Sequence, residues 1–222
     1  MIEDLFADDD SLPRQWREEL APGAVILRGY AGNSAEQLLQ NIVSLAAISP
    51  FRHLITPGGH RMSVGMTNCG ALGWVSDEYG YRYSASDPLT GRCWPPIPDC
   101  FRSLAERAAE AAGYAHFSPD ACLVNRYVPH ARLTLHQDKN ERDMTQPIVS
   151  VSLGLPAIFL FGGTEREHPC RRFPLVQGDV VVWGGESRLN YHGVLPLKDT
   201  LPPWPIREAV RYNLTFRRVM PA

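Results

Sequence analysis

The run Leu133-Thr-Leu-His136-Gln-Asp138 reads as the end of a β-strand, and strand side chains alternate, so His136 and Asp138 point to one face. A histidine and a carboxylate presented together are two metal ligands. Seven histidines in 222 residues make a stray His-x-Asp pair common, so this one needs a third partner. His192, in Asn190-Tyr-His192-Gly of a later β segment, supplies it, and two histidines with one carboxylate form the facial triad of non-haem Fe(II) oxygenases. The plainer account of His192 is a turn histidine with a local hydrogen bond.

The C-terminal run Arg211-Tyr-Asn-Leu-Thr-Phe-Arg217 has a period of two, with Arg211, Asn213, Thr215 and Arg217 on one face and Tyr212, Leu214 and Phe216 on the other. An edge strand with a solvated face is the ordinary account. A dicarboxylate the size of 2-oxoglutarate explains the spacing better, because each arginine offers a planar, permanently charged fork matched to a carboxylate. Asn125 and Tyr127 share a face of the strand predicted over 121–128 and add neutral donors, although ordinary strand polarity also accounts for them.

These side chains must be held by a largely β framework. Short β-rich runs at 121–128, 131–136, 148–153, 157–161, 179–183 and 209–219 are separated by turns and by no long helix, which suggests a sandwich or jelly roll. Ahead of them, an apolar strand at 24–27 precedes a helix running to about residue 48, with Ser34 and Gln37 as a capping box and Pro50 as its stop. A second helix begins at Pro98 and Asp99, carries Phe101, Leu104, Ala105, Ala108 and Ala112 on one face, and stops at Gly113. Residues 56–96 hold five aromatic residues and several glycines without a sustained period, the pattern of a long, structured surface loop with short hairpins.

Composition narrows the class. Hydrophobic residues at 44% and charged residues at 21% are average for a globular domain and exclude a disordered or coiled-coil chain. Residues 1–20 are expected to be an acidic, flexible tail, and the length favours one domain over 1–222. No apolar run approaches a membrane span and the start is acidic where a secretory signal would be basic, so no membrane association and a cytoplasmic location are expected. Cys69, Cys93, Cys100, Cys122 and Cys170 include no Cys-x-x-Cys pair, which argues for reduced thiols. A net charge of −2 gives no bulk attraction for nucleic acid, so any such binding rests on a local patch.

Asn125-x-Tyr127, His136-Gln-Asp138-Lys139, Ser150-Val-Ser-Leu-Gly-Leu-Pro, Gly178-Asp-Val-Val-Val-Trp-Gly-Gly, His192 and the arginine strand together resemble the AlkB family, the Fe(II)- and 2-oxoglutarate-dependent oxidative dealkylases of nucleic acids. The likeness runs from about residue 24 to 217 and includes Met62-Ser-Val-Gly-Met66-Thr-Asn-Cys-Gly. It implies a mainly β (α+β) fold, a double-stranded β-helix or jelly roll with an N-terminal helical layer. A substrate-recognition lid is placed over 50–96 and a catalytic core over 119–219.

By the resemblance, His136, Asp138 and His192 hold Fe(II). Arg211 and Asn213 grip the far carboxylate of 2-oxoglutarate, Arg217 sits at the end chelated to iron, and Asn125 and Tyr127 complete the pocket. Trp74 stacks on the flipped base, Tyr81 and Tyr83 lie near the substrate backbone and base, and Met66, Lys139, Asn140 and Arg166 are further substrate positions. At Asn140 the family prototype has an aspartate beside the base. The implied reaction uses O2 to demethylate 1-methyladenine and 3-methylcytosine in DNA, single-stranded above all, with double-stranded DNA or RNA as further substrates, and the protein acts as a monomer. The residues alone also suit a cupin-like metal enzyme or a related oxygenase with a protein or small-molecule substrate; a binding module that has lost iron is a third reading, against which the intact triad and both arginines speak.

Overall fold

The computed structural model describes residues 15–221. In chain order its elements are β1 (Trp16–Ala21), β2 (Ala24–Arg28), α1 (Ala35–Ile48), β3 (Gly65–Gly70), β4 (Gly73–Asp77), β5 (Gly80–Ser84), α2 (Asp99–Ala111) and β6 (Ala121–Tyr127). There follow β7 (Leu133–His136), β8 (Ile148–Gly154), β9 (Ala157–Phe161), β10 (Arg171–Leu175), β11 (Val180–Trp183), β12 (His192–Val194) and β13 (Arg211–Arg217). A seven-stranded sheet runs β1-β2-β11-β8-β13-β6-β3, a four-stranded sheet runs β10-β9-β12-β7, and β4 pairs with β5 as a separate hairpin. Every pairing is antiparallel, and the whole is the expected jelly roll with a helical layer.

The larger sheet is buried on both faces. Leu38, Ile42 and Leu45 of α1 and Phe101, Leu104 and Ala108 of α2 pack on Val149, Val151, Val182, Leu214 and Phe216. Burying each large apolar side chain contributes roughly 1.5–3 kcal/mol, which holds the helices to the sheet. The opposite face, with Ile26, Ile148, Val181 and Trp183, meets Phe159, Phe161 and Val194 of the smaller sheet.

Several expectations need correction. Residues 1–14, most of the expected tail, lie outside the described residues, but Trp16–Ala21 is a strand paired with β2, because Leu20 alternates into the core. Gly65–Gly70, placed in the lid span, is the edge strand of the larger sheet beside β6, and β1 and β2 join that sheet too, so the β framework begins well before residue 119. Strand β13 is no edge strand: β8 and β6 flank it and both its faces are covered. The capping box does not form. A 3-10 turn over Gly32–Ser34 leads into α1 and leaves Ser34 in helical backbone geometry with no side-chain cap.

Candidate active site

His136 ends β7, His192 begins β12, and the two are direct cross-strand partners with ring centroids 4.3 Å apart. Pairing shifts register between His192 and Val194, where Gly193 lies so close to β7 that a Cβ would meet the Leu133 carbonyl at 2.8 Å. Asp138 follows two residues after β7, with Oδ1 3.9 Å from His136 Nε2 and Oδ2 3.7 Å from His192 Nε2. All three ligand atoms lie within 4.8 Å of one another, the only such group of His, Cys, Asp or Glu found among the described residues.

Each histidine is oriented from behind. His136 Nδ1 is 2.9 Å from the Thr134 carbonyl and His192 Nδ1 is 3.0 Å from the Asn190 carbonyl, so each Nδ1–H donates and each Nε2 keeps its lone pair for a metal. Burial and the neighbouring His136 push His192 down to about 3, which keeps it neutral and ligating at neutral pH. Burial pushes the Asp138 carboxyl up, but Arg217 and the two histidines outweigh it and hold the group well below the usual carboxylate range. Arg217 Nη2 and Nε reach Asp138 Oδ2 at 2.7 and 3.2 Å.

The inward face of β13 carries Arg211, Asn213, Thr215 and Arg217, all buried. Arg211 is 1% exposed and donates from Nη2 to Ser152 Oγ at 2.8 Å, while its Nε and Nη1 have no partner. A buried guanidinium with bare donors is expensive unless a ligand completes it, so the pocket fits one carboxylate of a dicarboxylic acid. Tyr127 stands opposite Arg211 in the pairing of β6 with β13, its hydroxyl pushed up to about 12 by burial. Asn125 donates to Asn213 Oδ1 at 3.3 Å, and its own Oδ1 has no partner. The Asn213 amide nitrogen donates to Ser150 Oγ at 2.7 Å and to the Val151 carbonyl at 3.1 Å, which braces β13 against β8.

The aromatic residues of the expected lid are brought together by the β4–β5 hairpin. Trp74 and Tyr83 are cross-strand partners, and Tyr81 stacks on Trp74 with centroids 5.6 Å apart and planes 14° from parallel. Tyr83 donates its hydroxyl to the buried carboxylate of Glu141, and burial holds that hydroxyl well above its usual range. Met66 is buried on β3 opposite Asn125. Lys139 and Asn140 are exposed just after Asp138, and Arg166 is exposed with Nη1 donating to the Leu135 carbonyl at 3.0 Å. A cavity of about 220 Å³ bordered by Arg52, Met66, Trp74 and Trp94 has no triad residue in its wall.

Two residues beside the triad escaped the sequence reading as partners. Glu141 lies 3.3 Å from Arg217 Nε and 3.0 Å from Arg188 Nη2, and the three form a buried ionic cluster. No periodicity or motif flags a loop arginine such as Arg188.

A jelly roll whose smaller sheet gathers His-Asp-His and whose larger sheet carries an incompletely paired buried arginine defines a 2-oxoglutarate- and Fe(II)-dependent dioxygenase. Residues 23–217 match the 2OG-Fe(II) oxygenase superfamily. Over 97% of both chains the sequence is 59% identical to the alpha-ketoglutarate-dependent dioxygenase AlkB of Escherichia coli (strain K12). It is 30% identical to the DNA N(6)-methyladenine demethylase ALKBH1C of Arabidopsis thaliana, over 90% of this chain and 49% of that one. It superposes on the solved structure of OsALKBH1 with a TM-score of 0.81 and 30% identity, covering 91% of this chain and 100% of the other. The chain belongs to the AlkB family of Fe(II)/2-oxoglutarate dioxygenases and uses Fe(II), 2-oxoglutarate and O2.

Proposed function

We propose that this dioxygenase demethylates 1-methyladenine and 3-methylcytosine in single-stranded DNA, with double-stranded DNA and RNA as further substrates, and that it works as a cytoplasmic monomer. The observation that carries this reading is the aromatic hairpin, with Trp74, Tyr81 and Tyr83 on one of its faces and Tyr83 bonded to Glu141 beside the triad. Lesion atoms on the pairing edge are out of reach inside a duplex, so the base must leave the stack, and an aromatic platform receives it. The demethylase name of the Arabidopsis relative supports a nucleic-acid substrate.

His136, Asp138 and His192 hold the iron in this reading. Arg211 and Asn213 receive the far carboxylate of 2-oxoglutarate, Arg217 sits at the end chelated to the metal, and Asn125 and Tyr127 complete the pocket. Bound iron, 2-oxoglutarate and O2 supply the oxidation: one oxygen atom goes into succinate with loss of CO2, the other into a methyl C–H, and the N-hydroxymethyl base then sheds formaldehyde. Trp74, on a lid built on the hairpin, stacks on the base, and Met66, Tyr81, Tyr83, Lys139, Asn140 and Arg166 line its approach. Succinate and formaldehyde formed with and without a methylated oligonucleotide test the reading; succinate that no methylated strand raises would overturn it.

A further inference from the structure

The two segments that carry the triad are joined by little regular pairing. Strand β7 has four residues and β12 three, their pairing is irregular after His192, and Asp138 lies beyond the end of β7. Sheet hydrogen bonds therefore leave the backbone of Asp138 unheld.

We infer that Arg188 and Gln137 are positioning residues for the iron site, a reciprocal clasp between the segment of His136 and Asp138 and the segment leading to His192. Arg188 follows the 3-10 turn Gly185–Ser187 and donates from Nη1 to the Asp138 carbonyl at 2.7 Å. In return Gln137, between the two ligands, donates from Nε2 to the Leu189 carbonyl at 2.7 Å and the Thr164 carbonyl at 3.2 Å. Side chain 188 thus grips backbone 138, and side chain 137 grips backbone 189.

The rest of the Arg188 guanidinium extends the clasp across the loop after Asp138. Its Nε donates to the Gln146 carbonyl at 3.0 Å and its Nη2 to Glu141 Oε2 at 3.0 Å. Glu141 also contacts Arg217, which holds the Asp138 carboxylate. Main chain and side chain of one ligand are fixed by one continuous buried network, and lysine, with a single ammonium, cannot reproduce three donors spread over three acceptors. A buried ion cluster is a weak source of stability, whereas ligand atoms must sit within a few tenths of an ångström to bind a metal.

The inference rests on His136, Asp138 and His192 being the metal ligands, so the test reads metal binding directly. Metal-free wild type, Gln137→Met and Arg188→Lys are titrated with Co(II), following its d–d absorption, and their melting temperatures are compared. Gln137→Met removes the amide without stranding a buried charge, so it stays folded. Partners behind ligands typically influence metal affinity 10–100-fold, and both variants are expected to weaken Co(II) binding by about that factor and alter the band shape, with Gln137→Met melting near wild type. Wild-type affinity and spectrum in folded Gln137→Met and Arg188→Lys would overturn the clasp. Failure of the wild type itself to bind Co(II) would overturn the ligand assignment and the clasp with it.

Discussion

Arg211 and Arg217 project from the same buried face of β13, yet Arg217 is engaged by Asp138 and Glu141 while Arg211 keeps two donors without a partner. Six residues apart on one strand, they divide the pocket into a metal end and an open end. In the proposed reading, those bare donors receive a carboxylate of the co-substrate.

Arg211→Lys is therefore expected to raise the KM for 2-oxoglutarate. Hydrogen bonds to charged groups contribute about 1.5–3 kcal/mol, so losing one leg of a bidentate pair corresponds to roughly a 10- to 100-fold rise. Succinate formation against 2-oxoglutarate concentration measures it, and an unchanged KM would remove Arg211 from the site.

Asp138→Ala removes a ligand and the main counter-charge of Arg217. Turnover and iron stoichiometry should both fall to background while far-UV circular dichroism stays that of the folded protein, because neither the core nor a strand is touched. Retained iron and activity would refute the ligand assignment.

Trp74→Ala deletes the stacking platform. A base–aromatic stack contributes about 1–3 kcal/mol, so affinity for a methylated oligonucleotide should fall about 5- to 150-fold, while 2-oxoglutarate consumption without substrate is retained. Parallel loss of both activities would make Trp74 a packing residue.

Asn140 is exposed two residues after Asp138 and carries no charge at a position where the family resemblance implies an aspartate. An anion beside the base favours lesions that are cationic, as 1-methyladenine and 3-methylcytosine are. Asn140→Asp should widen the preference for 3-methylcytosine over neutral 3-methylthymine, read as the ratio of kcat/KM in one single-stranded context. Equal ratios in the two proteins would show that this position does not set charge selectivity.

The triad and the arginine face were legible because strand alternation and ligand chemistry are both written locally, at His136, Asp138 and along Arg211–Arg217. What alternation does not record is what covers a face. The polar face of β13 could have met water, and only its place between β8 and β6 makes it a buried pocket wall. Strands β1 and β3 were hidden for a related reason, since each is stabilised by a partner distant or apolar in ways its own composition does not announce. The Arg188–Glu141–Arg217 cluster joins residues 47 and 76 positions from Glu141, respectively, and no local signal pairs them.

The direct pairing of His136 with His192 also makes the metal a reporter on strand register. A slip by one residue would set Gly193 opposite His136 and turn His192 to the other side of the sheet, and the ligand set would never assemble. Helices and local hairpins form without that alignment, so circular dichroism can recover before it exists. Metal uptake followed during refolding would time the meeting of two short strands more than fifty residues apart, an event that overall secondary structure does not register.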